Sequence, residues 1–257
     1  ARNVNDAAML LDVMAGYDSR DPMSLDDPAE SFEEAAIREH VPPRIAFSPD
    51  LGVTPVDPEV AEICEWAALR FEELGAHVEK AQPDFSGLQD VFQVHRALSF
   101  ATSLGPELEA NRDTFKPEIV WNVEKGLALT GQDIMNAMVE RSEIYRRANT
   151  FFSDFDLILT PATVVPPYPV EQRFVQRVGD HEFSNYIEWC SIAYAFTVLG
   201  APALSVPCGF TQSELPVGLQ IAAPVREEAR LLAAASALEN LLRLSGALPI
   251  DPRGPDS

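Results

Sequence analysis

Apolar residues recur three and four positions apart along much of the chain, the spacing that places them on one face of a helix. In residues 226–244, for example, this face includes Leu231 and Leu238. Gly16 and Gly75 each follow such a stretch and are the expected helix ends. The predicted helices cover residues 5–15, 57–74, 87–111, 132–155, 184–199 and 226–244.

Short apolar runs that end at turn residues predict the strands. Residues 44–47 and 76–78 flank the helix at 57–74, which predicts a β-α-β unit with parallel pairing. Residues 156–161 predict a buried strand that stops at a proline. Residues 200–221 contain two apolar runs around a polar turn and predict a hairpin.

Three segments lack either period. Residues 17–43 are rich in proline and acid and predict an irregular surface crossing. Residues 161–169 are rich in proline and predict a loop. Residues from 249 onward predict a frayed terminus.

Composition narrows the class of protein. The chain has 257 residues, of which 46% are hydrophobic, enough for one large domain or two small ones. Its net charge of -21 argues against nucleic acid or an anionic membrane as a partner, because phosphate binding needs clustered Lys and Arg. There is no long apolar stretch and no leader pattern, so a cytoplasmic protein without a membrane span is expected. Cys64, Cys190 and Cys208 lie in apolar contexts and predict buried thiols.

Most familiar chemical motifs are missing. The four histidines lack the spacing of a zinc site, and no glycine-rich phosphate loop is present, so neither a metal nor an organic cofactor is expected. Ser205 lacks the G-x-S-x-G elbow of a hydrolase nucleophile and is expected to pack in a strand. Adjacent carboxylates, such as those of residues 72 and 73, point about 100° apart on a helix and indicate a solvated face.

One motif carries a resemblance to a known family. Residues 200–210 read GAPALSVPCGF, and residues 215–221 read LPVGLQI. This wording resembles the C-terminal hallmark of the amidase signature hydrolases. The DLILTP phrase at residues 156–161 and the opening residues 1–16 are also similar to that family, as is the stretch 44–75.

The resemblance implies an α/β fold, part of the amidase signature fold, with a mixed β-sheet sandwiched between helices. It also implies that residues 1–257 are the C-terminal half of a single, incomplete amidase domain. Family members use a lysine and two serines, one on a cis peptide, carried on a Gly/Ser-rich segment. This chain has no Gly-Gly-Ser or Gly-Ser-Ser, and Lys80, Lys116 and Lys125 do not lie in apolar strands. The catalytic triad is therefore expected to lie outside this chain, and the chain alone is predicted to be inactive.

The resemblance also implies a substrate pocket. In the family, the helix before the G-x-P-A phrase lines the substrate cleft, and here that segment also holds Tyr186. The predicted substrate-binding residues are Trp121, Ile187, Trp189, Cys190 and Tyr194. Cys190 and Trp121 stand where glutamine-using relatives carry an acid and an arginine, which favours an apolar or aromatic amide. The interpretation that Trp121, Trp189 and Cys190 are plain core residues stays open.

The implied parent enzyme hydrolyses a carboxylic amide to an acid and ammonia or an amine through a serine acyl-enzyme. Its expected partners are a small amide, the missing N-terminal half and a second copy in a homodimer. Two alternatives remain. The chain could be a non-catalytic subunit or pseudoenzyme that pairs with a separate catalytic half through an exposed sheet edge. It could also be the A subunit of a glutamine-dependent amidotransferase that acts on charged transfer RNA, although the net charge counts against that.

Overall fold

A computed structural model describes residues 1–244 of the chain, so the predicted frayed terminus lies outside the described residues. The helices are α1 (Val4–Met14), α2 (Phe32–Ile37), α3 (Pro58–Leu69), α4 (Leu88–Asn111), α5 (Pro117–Leu127), α6 (Gly131–Phe151), α7 (Ser191–Leu199) and α8 (Glu228–Leu242). The strands are β1 (Arg44–Phe47), β2 (His77–Lys80), β3 (Leu157–Pro161), β4 (Arg177–Val178), β5 (His181–Glu182), β6 (Ala203–Phe210) and β7 (Pro216–Ala222). Short 3-10 turns cover Arg70–Leu74, Arg112–Thr114 and Glu188–Cys190.

Five strands form one mixed sheet in the order β2-β1-β3-β7-β6. Strand β1 pairs in parallel with both β2 and β3, so the predicted β-α-β unit is confirmed. Strand β7 runs antiparallel to β3 and to β6, which confirms the predicted hairpin. A bulge between Pro207 and Gly209 interrupts β6, at an edge position where the missing proline N–H costs no sheet bond. Strands β4 and β5 pair separately and were not predicted.

Helices cover both faces of this sheet. Alternate residues of β1 point to opposite faces: Ile45 and Phe47 join the core under α1, α2, α3 and α8, whereas Ala46 joins the core under α4, α6 and α7. Both cores are rich in fully buried side chains such as Phe71 and Phe196. The predicted mixed sheet sandwiched between helices is therefore confirmed.

Helix α5 lies against α4 and was not predicted as a separate helix. Pro117 occupies its first turn, where a proline loses no helical hydrogen bond. Near its end, Gly126 lies so close to α4 that an added Cβ would be 2.1 Å from the carbonyl oxygen of Ala97. This glycine thus permits backbone-to-backbone contact between the two helices.

Two sequence predictions were wrong in part, one about an irregular stretch and one about where a helix begins. The stretch 17–43 contains helix α2, which Ser31 caps by accepting a hydrogen bond from the Glu34 amide. The helix predicted over 184–199 is helical only from Ser191, after a 3-10 turn. The Asn185 side chain accepts from the Ile187 amide at 3.1 Å, and such local bonds compete with a helix.

None of the helices in the described part of the chain is both long and apolar enough to cross a bilayer.

Candidate functional site

Tyr186 joins the segment before α7 to helices α4 and α5. Its hydroxyl accepts hydrogen bonds from Arg96 Nη2 at 2.9 Å and from Asn122 Nδ2 at 2.5 Å. Trp121 and Phe174 approach its ring edge-on, with ring centres 6.1 and 6.3 Å away. We call Arg96, Trp121, Asn122, Phe174 and Tyr186 the Tyr186 cluster. It brings together side chains from four separate parts of the chain.

Aromatic rings surround the Arg96 guanidinium. Its central carbon lies 4.6 Å from the centre of the Phe100 ring and 5.8 Å from those of Phe92 and Tyr186. Arg96 makes no ion pair within residues 1–244, so the negative faces of these rings and the Tyr186 hydroxyl stabilise its charge. The same contacts hold the side chain in one position.

The α5 side of the cluster combines a buried amide with a partly exposed ring. Asn122 is fully buried, and its Oδ1 has no hydrogen-bond partner within the described residues. Trp121 is 39% exposed, and the Lys125 ammonium lies 4.9 Å from the centre of its ring. Lys125 also donates to Gln93 Oε1 at 2.9 Å, while partial burial lowers the pKa of its amine. Trp121 therefore leaves part of its ring exposed, while Asn122 and Lys125 hold α5 against its neighbours.

The first turn of α7 supplies neutral polar groups. Burial raises the pKa of the Cys190 thiol to about 11, so the thiol is protonated at neutral pH. The Ser191 and Tyr194 hydroxyls are buried, and neither makes a hydrogen bond within residues 1–244. The nearby Ser191 hydroxyl acts to lower the pKa of Tyr194. Burial nevertheless raises the pKa of Tyr194 overall. The start of α7 therefore carries no charged side chain at Cys190, Ser191 or Tyr194 at neutral pH.

Glu188 holds the segment before α7 in its non-helical shape. Its carboxylate accepts from the Ser184 amide at 2.7 Å and from the Ser184 hydroxyl. Burial acts to raise the pKa of Glu188, but these hydrogen bonds outweigh burial and the pKa lies below its ordinary value. The Trp189 indole donates to the Tyr186 carbonyl at 2.9 Å within the same segment. Bonds among its own residues thus shape this segment, and the Tyr186 hydroxyl joins it to α4 and α5.

The structure brings some of the sequence-predicted site residues together. Trp121 meets the pre-α7 segment through Tyr186, while Tyr194 stacks on Phe92 with ring centres 3.6 Å apart. Trp189 instead packs edge-on against Tyr168 of the proline-rich loop. Cys190 is half-buried at the start of α7, and Ile187 is half-buried one turn before it. Trp121 therefore contacts the segment before α7, whereas Trp189 lies within that segment and contacts the proline-rich loop.

Sequence reasoning missed the partners of Tyr186 on the two long helices. Phe92, Arg96 and Phe100 are spaced by four residues and so share one face of α4, which was a readable signal. Nothing in that spacing indicates that this face meets Tyr186, which follows more than eighty residues later. Asn122 carried no signal, because a lone asparagine in a helix is most often exposed.

These groups can bind and orient a small molecule, but they do not form an activated nucleophile. The Cys190 thiol has a raised pKa, which disfavours the thiolate. Lys125 binds Gln93, and Lys80 pairs with Glu65 at 2.7 Å, so neither lysine contacts a serine in the hydrogen bonds of the described residues. Among the described residues, this site therefore holds no activated nucleophile.

Comparison with known proteins adds an independent finding. The family model described as Amidase matches residues 1–232. An acylamidase of Rhodococcus erythropolis is 33% identical over 256 residues, which cover 97% of this chain and 53% of that protein. The A subunit of the glutamyl-tRNA(Gln) amidotransferase of Moorella thermoacetica is 30% identical, with 93% of this chain and 52% of that protein covered. The chain thus spans about half the length of the curated relatives it matches.

Solved structures show the same fold. A bacterial aryl acylamidase of the amidase signature enzymes superposes with a TM-score of 0.84 at 25% identity, over 97% of this chain and 55% of that chain. The 6-aminohexanoate cyclic dimer hydrolase superposes with a TM-score of 0.79 at 22% identity, over 96% of this chain and 55% of that chain. The resemblance drawn from the hairpin motif is therefore confirmed.

Proposed function

We propose that this chain, which belongs to the amidase family, forms the C-terminal portion of an enzyme. That enzyme hydrolyses a carboxylic amide to an acid and ammonia or an amine. Its share of the work is scaffold and substrate pocket. The single observation that carries this division is the Tyr186 cluster, which offers a partly exposed tryptophan beside the Tyr186 hydroxyl and the Arg96 guanidinium but no activated nucleophile.

An apolar or aromatic amide is the proposed substrate class. Trp121 supplies a large, partly exposed ring surface, and the half-buried Cys190 thiol at the α7 start is neutral. Flat apolar groups gain most from contact with such a ring. A substrate with a charged amino group would instead need a carboxylate, and Cys190 offers none. This supports an aryl or alkyl amide over glutamine.

The serine nucleophile and its lysine base would come from a segment outside this chain. The edge strand β6 is a suitable place for that segment to join, because β7 is its only partner among the sheet strands of residues 1–244. Beside this edge, a cavity of about 800 Å³ lies between the first residues of α1 and the hairpin, with Val4, Leu204 and Val217 among its lining. Unpaired strand edges readily accept another strand. Bringing the two segments together would bring the pocket and the nucleophile into one enzyme.

The test has two parts, done on the 257-residue chain. In the first, the chain is incubated with 4-nitroacetanilide, and release of the coloured aniline is followed. We expect no turnover, and turnover by the homogeneous chain would refute the proposed division of labour. In the second, binding of acetanilide is measured by ligand-observed NMR.

Two tryptophan variants make the binding test specific. Trp121→Ala removes the exposed ring of the Tyr186 cluster, whereas Trp66→Ala removes a ring that is 54% exposed on α3 beside Arg70. Loss of a well-packed aromatic contact weakens binding by roughly tenfold, since tenfold corresponds to 1.4 kcal/mol. We expect this loss in Trp121→Ala only. Equal affinities of the two variants would argue that Trp121 is an ordinary surface residue.

A further inference from the structure

A second concave surface lies between α4, α6 and the end of α7, away from the first turn of α7. It is a groove of about 360 Å³, lined by apolar groups of Phe92, Phe100 and Val198 and by the basic side chains of His95, Arg96 and Arg141. Val198 is eight residues beyond Cys190, so the far end of the groove lies about 12 Å along the helix from the predicted pocket residue. We call it the α4–α7 groove.

The charge of this groove is opposite to that of the whole chain. Acidic residues outnumber basic ones by 40 to 19 in the sequence, yet no carboxylate lines the groove. Neither Arg96 nor Arg141 forms an ion pair with any other residue in the described range 1–244. Two positive charges that face one concavity without a counter-ion make it favourable for an anion.

Both arginines are held in place before any ligand arrives. Arg141 donates from Nε to the carbonyl oxygen of Val198 at 2.8 Å, which also satisfies a carbonyl in the last turn of α7. Arg96 is fixed by rings on three sides, and its Nε and Nη2 both donate to the Tyr186 hydroxyl. The Nη1 atom of Arg96 and both Nη atoms of Arg141 make none of these bonds. Because the side chains are already ordered, a ligand would bind them at a reduced entropic cost.

His95 also lines the groove. Its Nε2 is buried and has no hydrogen-bond partner within residues 1–244. Burial, followed by the charge of Arg141, lowers the pKa of this imidazole, which is therefore neutral at pH 7. His95 therefore adds no charge to the groove, whose positive charge comes from Arg96 and Arg141.

We propose that the α4–α7 groove binds an organic carboxylate that carries a small aromatic or apolar group. Arginine guanidinium groups present donors in the planar fork that matches a carboxylate. Phe92, Phe100 and Val198 offer the apolar contacts that an attached ring would fill. The volume lies at the small end of the range for ligand pockets, which suits a molecule of the size of phenylacetate.

The experiment is isothermal titration calorimetry of the 257-residue chain with three probes. Phenylacetate has both the ring and the carboxylate, phenylacetamide keeps the ring but is neutral, and inorganic phosphate is an anion without a ring. We expect phenylacetate to bind and the other two to bind more weakly. Phosphate binding as tightly as phenylacetate would overturn the proposed ligand class, as would equal binding of the amide.

Variants place the binding in the groove. Arg141→Gln should weaken phenylacetate binding by roughly ten- to a hundredfold, because a hydrogen bond to a charged group contributes about 1.5–3 kcal/mol. Arg146→Gln is the matched control, since it removes the same charge from α6 at a residue that pairs with Glu143 and does not line the groove. Arg141→Lys keeps the charge but not the fork and should weaken binding less. Equal losses in Arg141→Gln and Arg146→Gln would show only a general charge effect and would refute the proposal.

A fourth variant guards against failed folding of Arg141→Gln. Ser99 is exposed on α4 and lines the groove, so Ser99→Glu adds a carboxylate there without touching the core. It should abolish phenylacetate binding, and retained binding would contradict the proposal. Trp121→Ala should leave phenylacetate binding unchanged, because Trp121 does not line the groove. If Trp121→Ala abolished it, the ligand would occupy the Tyr186 cluster instead and the proposed groove would be wrong.

Discussion

The close contact between α4 and α5 predicts that Gly126→Ala is strongly destabilising. The new methyl group would be 2.1 Å from the carbonyl oxygen of Ala97 and 2.6 Å from the Ala101 methyl group. The carbonyl belongs to a helix backbone and cannot rotate away as a side chain could. The two helices would therefore have to separate by roughly 1 Å or more to reach an ordinary contact distance.

The expected cost follows from two opposing terms. Overpacking a close contact typically costs about 1–3 kcal/mol, and more when the backbone itself must move. Alanine is about 1 kcal/mol more favourable than glycine inside a helix, which offsets part of that cost. The severe overlap places the cost of the clash at or beyond about 3 kcal/mol, the top of the range for overpacking. Less the gain from alanine, we expect a net loss of about 2 kcal/mol in the free energy of unfolding. For a chain of this size, the melting temperature should fall by about 4–8 °C.

Urea unfolding followed by circular dichroism measures the stability, and tryptophan fluorescence, to which Trp66, Trp121 and Trp189 all contribute, provides a second probe of unfolding. Gly131→Ala is the matched control, because it makes the same change in the first turn of α6 where nothing lies within 4 Å of the added Cβ. It should change the stability by less than about 0.5 kcal/mol. If Gly126→Ala were as stable as the starting protein, the inferred close packing of α5 on α4 would be wrong.

Three further predictions concern single groups. Tyr186→Phe removes the acceptor shared by the buried Asn122 amide and the Arg96 guanidinium, and urea unfolding should show a loss of about 1–3 kcal/mol in the free energy of unfolding. Tyr145→Phe, at an exposed position, should change that free energy little. Hydrogen bonds from the α2 start lower the pKa of the Asp12 carboxyl, so its stabilising effect is complete above the unfolded pKa and is lost as pH falls through the folded pKa. The difference in unfolding free energy between Asp12→Asn and the starting protein should therefore be largest at neutral pH and shrink below about pH 4. A difference that grows on acidification would contradict this. Because burial raises the pKa of Cys190 to about 11, iodoacetamide should alkylate this thiol slowly at pH 8 in the native chain and faster towards pH 11. Peptide mass spectrometry measures the extent of alkylation. Alkylation at pH 8 as fast as in an unfolded sample would show that the thiol is not shielded.

Much of the sheet could be predicted because its signals are local. The parallel unit follows from two apolar runs on either side of a helix that begins at Asp57 and Pro58 and is followed by Gly75, which adopts the left-handed conformation. The hairpin follows from turn residues between two apolar runs. In each case, the residues that determine the element lie within or next to it.

The rest depends on contacts that the sequence does not display. Helix α5 has no long apolar repeat, and its position depends on Gly126 meeting α4, a contact between residues about thirty positions apart. The start of α7 was misjudged because Ser184 and Asn185 form hydrogen bonds with nearby residues, which favour a bend over a helical turn. The arginine of the Tyr186 cluster could not be identified because its aromatic partners come from two separate segments.

The bonding of residues 184–190 bears on how this protein could be redesigned. Ser184 binds Glu188, Asn185 binds the Ile187 amide, and the Trp189 indole binds the Tyr186 carbonyl, whereas the Tyr186 hydroxyl ties the segment to α4 and α5. Ile187 is half-buried and its side chain makes none of these hydrogen bonds, so it can be varied while the bonds that shape the segment are kept. A mutational library centred on Ile187 would therefore change the surface of the segment at a smaller cost in folding stability than substitution of Tyr186.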